Sequence, residues 1–229
     1  MPTIVFASPK GGAGKSTAAV LLGTELAAKG AGVTIIDADP NRPVSRWAKR
    51  PNKPDTLDVV ADVTEETVIP QIEAAAARSA FVLVDLEGTA SMTVGFALSR
   101  ADLVIIPTKG SMLDATEAVK AIKLIRAQEQ AFRRKIPAVI LFTQTNPAVR
   151  PRTLRHIEAQ FDQSDVPVMK THLFERDAYR ALFMFGGGVS TLDPAEVSNI
   201  KTAKANAEAL MREVVAILKA QPARLAEVA

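Results

Sequence analysis

The chain has 229 residues, of which 48% are hydrophobic and none is cysteine. This length is typical of one sizeable domain or two small ones, and the hydrophobic content predicts a large core. The lack of cysteine excludes disulfides, thiolate zinc sites and iron–sulfur clusters. A net charge of +3 permits nucleic-acid contact without requiring it. No apolar run approaches the ~20 residues of a membrane span, and signal-peptide features are missing, so a cytoplasmic location is expected.

The first functional motif is KGGAGKST, between an apolar run at 3–7, predicted as a buried strand, and an Ala/Leu-rich segment at 18–29, predicted as a helix. Strand, glycine-rich loop and helix are the context of a phosphate-binding loop, although such turns also occur by chance. We expect Lys15 to contact the β- and γ-phosphates and Ser16 to bind Mg²⁺. The candidate nucleotide-binding residues are Lys10, Gly11, Gly12, Ala13, Gly14, Lys15, Ser16 and Thr17.

The loop differs from the common phosphate-loop pattern at its start, where Pro9 replaces the first glycine and Lys10 follows. The form KGGxGK[ST] resembles the deviant Walker A motif of the ParA/MinD ATPases. This resemblance implies a P-loop fold, ATP and Mg²⁺ as ligands, and an ATP-dependent homodimer. It also implies that Lys10 crosses the dimer interface to the partner's nucleotide, so Lys10 and Lys15 are both candidate catalytic residues.

A second predicted strand, at 33–36, is followed by Asp37 and Asp39. Carboxylates just beyond a strand lie at the edge where open α/β sheets bind ligands. The segment resembles switch I of the ParA/MinD family, which implies that Asp39 orients the attacking water and that Asp37 holds Mg²⁺ through water. Asn41 stands where the family has glutamine. From the residues alone, the acidic pair could instead cap a helix in a solvated turn.

The stretch 44–54 is basic and contains Trp47, the only tryptophan. We interpret it as a surface helix with Trp47 packed against the domain, in preference to a DNA contact. The order of residues at 41–47 resembles a ParA-like subgroup that includes the T-DNA border-processing ATPases. A short strand at 57–60 and a helix at 65–78, interrupted by Pro70, are predicted next.

A third strong strand, at 81–84, ends at Asp85, which resembles the Walker B aspartate and would bind Mg²⁺ through water. The family usually continues with DxPP, whereas Glu87 and Gly88 follow here. We interpret Glu87 as structural rather than catalytic. Another buried strand is predicted at 103–107.

In the second half, Asp114 is predicted as the N-cap of a helix that runs to about Arg134, and strands are predicted at 138–143 and 166–171. By resemblance, the loop at 144–147 approaches the adenine base, and the segment 174–179 is similar to the ParA and T-DNA relatives. His156 and His172 are too isolated for a metal site and are predicted at the surface. The glycines at 186–188 are interpreted as a turn.

The last predicted helix begins near Pro194 and ends before Pro222, with an apolar stripe facing the core. Three cations fall on its polar side: Lys201, Lys204 and Arg212. ParA relatives hold nonspecific DNA with basic residues near this end. By this resemblance, the three residues are candidate DNA contacts. An ordinary solvated helix face explains them equally well.

The alternation of strands and helices predicts one domain, 1–229, built on a mostly parallel twisted sheet with helices on both faces. The resemblance implies an ATPase switch that dimerises with ATP, binds DNA nonspecifically at the nucleoid and acts in plasmid or replicon partitioning with a ParB-like activator. An ATPase that recruits a T-DNA or conjugative relaxosome is the alternative. A MinD-like membrane-surface ATPase is disfavoured because Pro222 breaks the C-terminal segment 222–229, and a small-molecule synthetase is disfavoured by Lys10.

Overall fold

The computed structural model describes residues 1–88, 91–162 and 165–221. The segment 222–229, on which the argument against a membrane-surface helix rests, lies outside the described residues. None of the described helices combines the length and hydrophobicity needed to cross a bilayer.

A parallel sheet of seven strands forms the centre of the molecule. The strands are β1 (Thr3–Phe6), β2 (Val33–Ala38), β3 (Leu57–Val60), β4 (Phe81–Leu86), β5 (Leu103–Lys109), β6 (Ala138–Thr145) and β7 (Leu173–Phe174). Their spatial order is β3-β2-β4-β1-β5-β6-β7. The central strands are rich in β-branched residues and buried on both faces, as expected of a parallel sheet covered by helices.

Eight helices cover the two faces of this sheet in the described part of the chain. They are α1 (Lys15–Ala28), α2 (Pro43–Ala48), α3 (Val68–Arg78), α4 (Met92–Arg100), α5 (Met112–Phe132), α6 (Arg152–Asp162), α7 (Asp177–Phe185) and α8 (Ile200–Ala220). One apolar cluster joins the sheet to α1, α2, α7 and α8, and a second joins it to α3, α4, α5 and α6. The predicted α/β class, with helices on both faces, is confirmed.

Two predicted elements are placed differently by the structure. No strand spans 166–171, where Val168 makes only an isolated bridge to Ile140, and the edge strand β7 forms two residues later. The last helix begins at Ile200 rather than near Pro194. The reason is a separate turn in which Asp193 accepts backbone hydrogen bonds, followed by Asn199 with φ of 57°, a left-handed conformation that interrupts a helix.

The short helix α2 is anchored by Trp47, which is only 1% exposed. Its indole Nε1 donates a hydrogen bond of 3.0 Å to the carbonyl oxygen of Gly187. The preceding Gly186 has φ of 83°, and a Cβ there would lie 2.4 Å from the carbonyl oxygen of Pro51. Only glycine permits this approach, so the end of α7 and the end of α2 are held together, and the predicted packing of Trp47 is confirmed.

Candidate functional site

The sequence-predicted site residues converge at the carboxyl ends of β1, β2 and β4. Asp37 lies directly opposite Asp85 in the β2–β4 ladder, and Phe6, at the end of β1, is also paired with Asp85. The glycine-rich loop leaves β1 at this same edge. Because parallel strands present their carboxyl ends together, residues 10–17 and the two aspartates face one region of the molecule.

The glycine-rich loop has the backbone conformation that its sequence predicts. Gly12 and Gly14 have φ of 73° and 97°, which L side chains rarely adopt, and Gly14 immediately precedes the first turn of α1. Lys15 is buried, with Nζ 3.3 Å from the carbonyl oxygen of Ser8. Burial lowers the pKa of Lys15, while the carboxylates of Asp85, Asp39 and Glu87 oppose that shift. The loop therefore holds a cation at the N-terminus of a helix, an arrangement suited to anionic ligands.

The strand β6 fixes the other side of the loop. The hydroxyl of Thr143 donates a 2.7 Å hydrogen bond to the carbonyl oxygen of Ala13, and the amide of Gln144 donates one of 3.1 Å to Gly12. A Cβ on Gly14 would lie 3.4 Å from Thr143. These contacts link the loop to a strand that lies 130 residues later in the sequence.

Asp85 is completely buried at the end of β4. Burial raises its pKa to about 7; Asp37 also raises it, while the Ser16 hydroxyl and Lys15 lower it. Neither carboxylate oxygen has a hydrogen-bond partner of normal geometry among the described residues. A buried carboxylate with unused oxygens is costly unless a cation or water completes its surroundings, so Asp85 fits the neighbourhood of a bound metal.

Asp37 is buried beside Asp85 and holds the start of α2. Its Oδ2 accepts hydrogen bonds from the backbone N and the hydroxyl of Ser45, at 2.6 and 2.7 Å. Its Oδ1 is buried and unpartnered in the described part of the chain. Burial raises the pKa of Asp37, and the two bonds from Ser45 oppose this. The alternative of an N-cap in a solvated turn is wrong for Asp37: the N-cap of α2 is Arg42, and the buried Asp37 carboxylate accepts hydrogen bonds from Ser45 in the first turn of that helix.

Asp39 borders an open cavity of about 420 Å³ at the glycine-rich loop. Its Oδ1 accepts hydrogen bonds of 2.8 and 3.1 Å from the backbone and side-chain nitrogens of Asn41. Asn41 therefore orients the carboxylate, which leaves Oδ2 available. The cavity lining is Gly11, Gly12, Gly14, Lys15, Ser16, Thr17, Asp39, Pro40, Asn41, Glu87, Gly88 and Gln144.

Lys10 points to the start of α5, where its Nζ lies 2.7 Å from Oδ1 of the buried Asp114. The predicted N-cap role of Asp114 is wrong: Ser111 is the N-cap and accepts a hydrogen bond from the Asp114 backbone nitrogen. The Asp114 carboxylate in turn accepts from the Ser111 hydroxyl. Burial raises the pKa of Asp114, but hydrogen bonds from Lys10 and Ser111 outweigh it and lower the pKa overall.

A second cavity, of about 370 Å³, opens beside the loop on the side of β6 and β7. It meets the loop at Gly14 and Thr17, and it is otherwise lined by Thr143, Gln144, Leu173, Phe174, Glu175, Arg176, Tyr179, Arg180 and Phe183. The guanidinium of Arg176 lies over the ring of Phe174, 5.4 Å from its centroid. Gln144 is predicted here by resemblance, whereas the lining from β7 and α7 is not predicted. The motif at 174–179 is the sequence signal for that lining.

The remaining candidates lie away from this edge or have other partners. Arg212 donates to Glu208 on the same helix. Burial raises the pKa of Glu25, and Lys204 lies near enough to that carboxyl to oppose the shift. The predicted surface position is correct for His156 and wrong for His172, whose ring packs at 5.3 Å from Phe142. No cluster of three or more histidine and acidic side chains that could bind a metal exists among the described residues.

Comparison with known proteins identifies relatives over nearly the whole chain. Residues 1–223 match the family model described as VirC1 protein. The protein ParA of Rhizobium radiobacter is 44% identical over 209 residues, 91% of this chain and 94% of that one. The protein virC1 of the same organism is 30% identical over 225 residues, 96% of each chain.

Among solved structures, the complex of the Cyanothece McdA variant D38A with ATP superimposes with a TM-score of 0.73 at 15% identity. The matched region covers 94% of this chain and 96% of that chain. At this identity the likeness concerns the fold, which is that of the P-loop NTPases.

Proposed function

The chain belongs to the VirC1 family and is ParA-like, and from that premise we propose that it is a Mg²⁺-dependent ATPase that dimerises when ATP is bound. The observation that carries this proposal is the juxtaposition of the glycine-rich loop with Asp37, Asp39 and Asp85 at one edge of the sheet. A loop of backbone N–H donors with three carboxylates beside it suits a metal-bound nucleoside triphosphate.

The loop and the buried lysine would hold the phosphates. Lys15 would leave the carbonyl of Ser8 to contact the β- and γ-phosphates, and the N–H groups of residues 11–16 would surround the remaining oxygens. The cavity of about 370 Å³ on the side of β7 would take the base and ribose, with the ring of Phe174 as a stacking surface.

The unused carboxylate oxygens fit a magnesium ion held through water. Both oxygens of Asp85 and Oδ1 of Asp37 are buried without partners in the described chain, and the Ser16 hydroxyl lies nearby. Ser16 would bind the ion directly, whereas Asp85 and Asp37 would bind its water shell. When bound, Mg²⁺ neutralises negative charge on the β- and γ-phosphates.

Asp39 would position the attacking water, since phosphoryl transfer depends mainly on orientation and charge neutralisation. Its Oδ1 is occupied by Asn41, which leaves the second oxygen to accept a hydrogen bond from water. Glu87 lines the same cavity, and we assign it a structural role because Asp39 already has an orienting partner.

In the ATP-bound dimer, Lys10 would leave Asp114 and contact the phosphates bound by the partner subunit. We assign the dimer to plasmid or replicon partitioning in the cytoplasm, with a ParB-like activator and nonspecific DNA held by the Lys201, Lys204 and Arg212 side of α8. Recruitment of a T-DNA or conjugative relaxosome is the second candidate, which the match to the VirC1 family model over residues 1–223 favours.

The test combines three measurements on wild type and Lys10→Ala: ATP affinity by calorimetry, mass by light scattering, and phosphate release. Wild type should bind ATP with Mg²⁺, double its mass and release phosphate. Lys10→Ala should bind ATP with similar affinity and remain monomeric. ATP-dependent dimers of Lys10→Ala would contradict the cross-subunit role, and failure of the wild type to bind ATP would contradict the proposal as a whole.

A further inference from the structure

Five exposed side chains at the ends of α2 and α7 form a surface that the nucleotide site does not use. They are Arg46, Lys49, Arg50, Met184 and Phe185, and we call them the α2–α7 patch. The three cations are exposed, and Met184 and Phe185 are 66% and 38% exposed. Single exposed apolar side chains are common on protein surfaces, so it is the position beside three cations that distinguishes Met184 and Phe185.

Two features of the fold place these five residues close together. Arg46, Lys49 and Arg50 follow the three- and four-residue spacing of one helical side, while Trp47 is buried on the other. Phe185 directly precedes Gly186, where a Cβ would lie 2.5 Å from the Cβ of Arg50. The apolar end of α7 therefore lies against the cationic end of α2.

The positive charge of the patch is not neutralised within the described chain. The segment 40–54 contains five cations and no acidic residue. Arg46, Lys49 and Arg50 have no carboxylate partner among the described residues, whereas Arg212 of α8 pairs with Glu208. A partner that binds the patch would gain the full charge of three cations without first breaking an internal ion pair.

The combination of cations with exposed apolar side chains selects the class of partner. We propose that the α2–α7 patch binds single-stranded nucleic acid, with phosphates on the three cations and an unpaired base stacked on Phe185. A duplex would offer the phosphates but not an accessible base face. A bilayer requires a much larger apolar surface, since even one myristoyl chain gives only marginal binding. This inference adds a single-strand site to the duplex contact that the proposed function places on α8, and it rests on that function.

The same short helix connects the patch to the nucleotide site. Ser45, which holds Oδ2 of Asp37 by two hydrogen bonds, directly precedes Arg46. Any displacement of α2 when the nucleotide and its metal occupy the Asp37 edge would move the cations of the patch. Strand affinity should therefore differ between the ATP and ADP states, and by linkage the strand should change the ratio of ATP affinity to ADP affinity by the same factor.

The test is fluorescence anisotropy with a labelled 30-nucleotide strand of mixed sequence and with the duplex of that sequence, in ATP and in ADP, across a salt series. The first variant, Arg46→Gln/Lys49→Gln/Arg50→Gln, keeps every Cβ and removes three charges. The α8 control, Lys201→Gln/Lys204→Gln/Arg212→Gln, removes the three charges that the proposed function assigns to duplex DNA. A matched variant without an assigned role, Lys123→Gln/Arg133→Gln/Lys135→Gln, removes three exposed charges on and after α5 and should bind strand and duplex normally. The fourth variant, Phe185→Ala, removes the ring alone. ATP affinity and thermal melting report that each variant is folded.

We expect wild type to favour the single strand. The α2 variant should bind it at least about tenfold more weakly, with a salt slope lower by about 2, because each phosphate contact contributes about 0.7. Phe185→Ala should weaken single-strand binding about tenfold and leave duplex binding unchanged. The α8 control should retain the single-strand affinity of the wild type.

Three results would overturn the inference. The first is an α2 variant with unchanged strand affinity, and the second is an equal loss of strand and duplex affinity in Phe185→Ala. The third is a wild type that sediments with phosphatidylglycerol vesicles while the α2 variant does not. Strand binding lost only in the α8 control would reject this patch while leaving the proposed DNA-binding function intact. A wild type that hydrolyses ATP but binds neither strand nor duplex would reject the DNA-binding part of that function as well.

Discussion

The sheet edge that carries the glycine-rich loop and the β6–β7 side of the cleft are built in different ways. At the edge, the loop and Asp37, Asp39 and Asp85 belong to three strand ends of the first 85 residues, and the loop offers mainly backbone N–H groups. On the other side, a cavity of about 370 Å³ is lined mainly by side chains from β6, β7 and α7. The spacing of residues along the chain determines the structure of the edge, whereas tertiary packing determines the structure of the opposite side.

This difference predicts that the two regions carry separate tasks. Substitutions at the edge should affect any triphosphate, because phosphate oxygens are common to all of them. Substitutions on the β6–β7 side should affect only ligands that carry a base.

The largest effect is expected for Lys15→Ala, which removes the buried cation of the loop. ATP affinity should fall roughly 100-fold or more, because hydrogen bonds to charged groups are each worth ~1.5–3 kcal/mol and this lysine would contact two phosphates. Calorimetry with ATP and with inorganic tripolyphosphate should show the same loss. Lys29→Ala, at the exposed end of the same helix, is the control and should bind both ligands normally. A normal ATP affinity in Lys15→Ala would refute the assignment of the loop.

Asp39→Ala should reduce turnover roughly 100-fold while ATP affinity stays within a few-fold of wild type, because the carboxylate orients water rather than holding the nucleotide. Phosphate release under saturating ATP, together with ATP affinity, measures both quantities. Asp55→Ala, an exposed carboxylate of the turn before β3, serves as the control. Unchanged turnover in Asp39→Ala would shift the water-positioning role to Glu87.

Phe174→Ala tests the β6–β7 side directly. Loss of the ring should weaken ATP binding about tenfold, since stacking of a base on an aromatic ring is worth ~1–3 kcal/mol, and should leave tripolyphosphate binding unchanged. Phe132→Ala, at the exposed end of α5, controls for the loss of an aromatic side chain. Equal losses for both ligands would show that the two regions do not work separately.

The smallest effect is expected for Asp114→Asn, which weakens the ion pair between residue 114 and Lys10. A partly exposed ion pair is worth ~0.2–1 kcal/mol, so the concentration for half-maximal ATP-dependent dimerisation should fall roughly two- to fivefold. Analytical ultracentrifugation measures this concentration. Glu117→Gln is the control, because it removes a charge from the same helix and Glu117 pairs with Lys120 rather than with Lys10. A weaker dimer in Asp114→Asn would mean that Asp114 supports the contact rather than competing with it.

The regions also differ in how far the sequence predicts them. The loop, α1 and the strands that contain Asp37 and Asp85 follow from apolar runs of β-branched residues and from glycine spacing, so local physics determines them. The N-cap of α5 was assigned three residues too late because Ser111 and Asp114 form the cap together, and only the structure shows which residue begins the helix. The base-side cavity could not be predicted, since its walls come from segments whose approach depends on the folded sheet.

The strand β7 shows the same limit. It has only two residues and pairs with β6 across a register irregularity, so no apolar run of normal strand length marks it. His172 was expected at the surface, but packing against Phe142 encloses it. Each of these errors concerns an edge of the sheet, where neighbours distant in sequence decide the local conformation.

The 2.7 Å hydrogen bond from Thr143 to the carbonyl oxygen of Ala13 has a practical consequence for inhibitor chemistry. A compound that binds in the cavity of about 370 Å³ and displaces Thr143 would shift the glycine-rich loop without containing a phosphate mimic. Uncharged scaffolds, which enter cells more readily than nucleotide analogues, would thus act on the proposed nucleotide site from the side of β6.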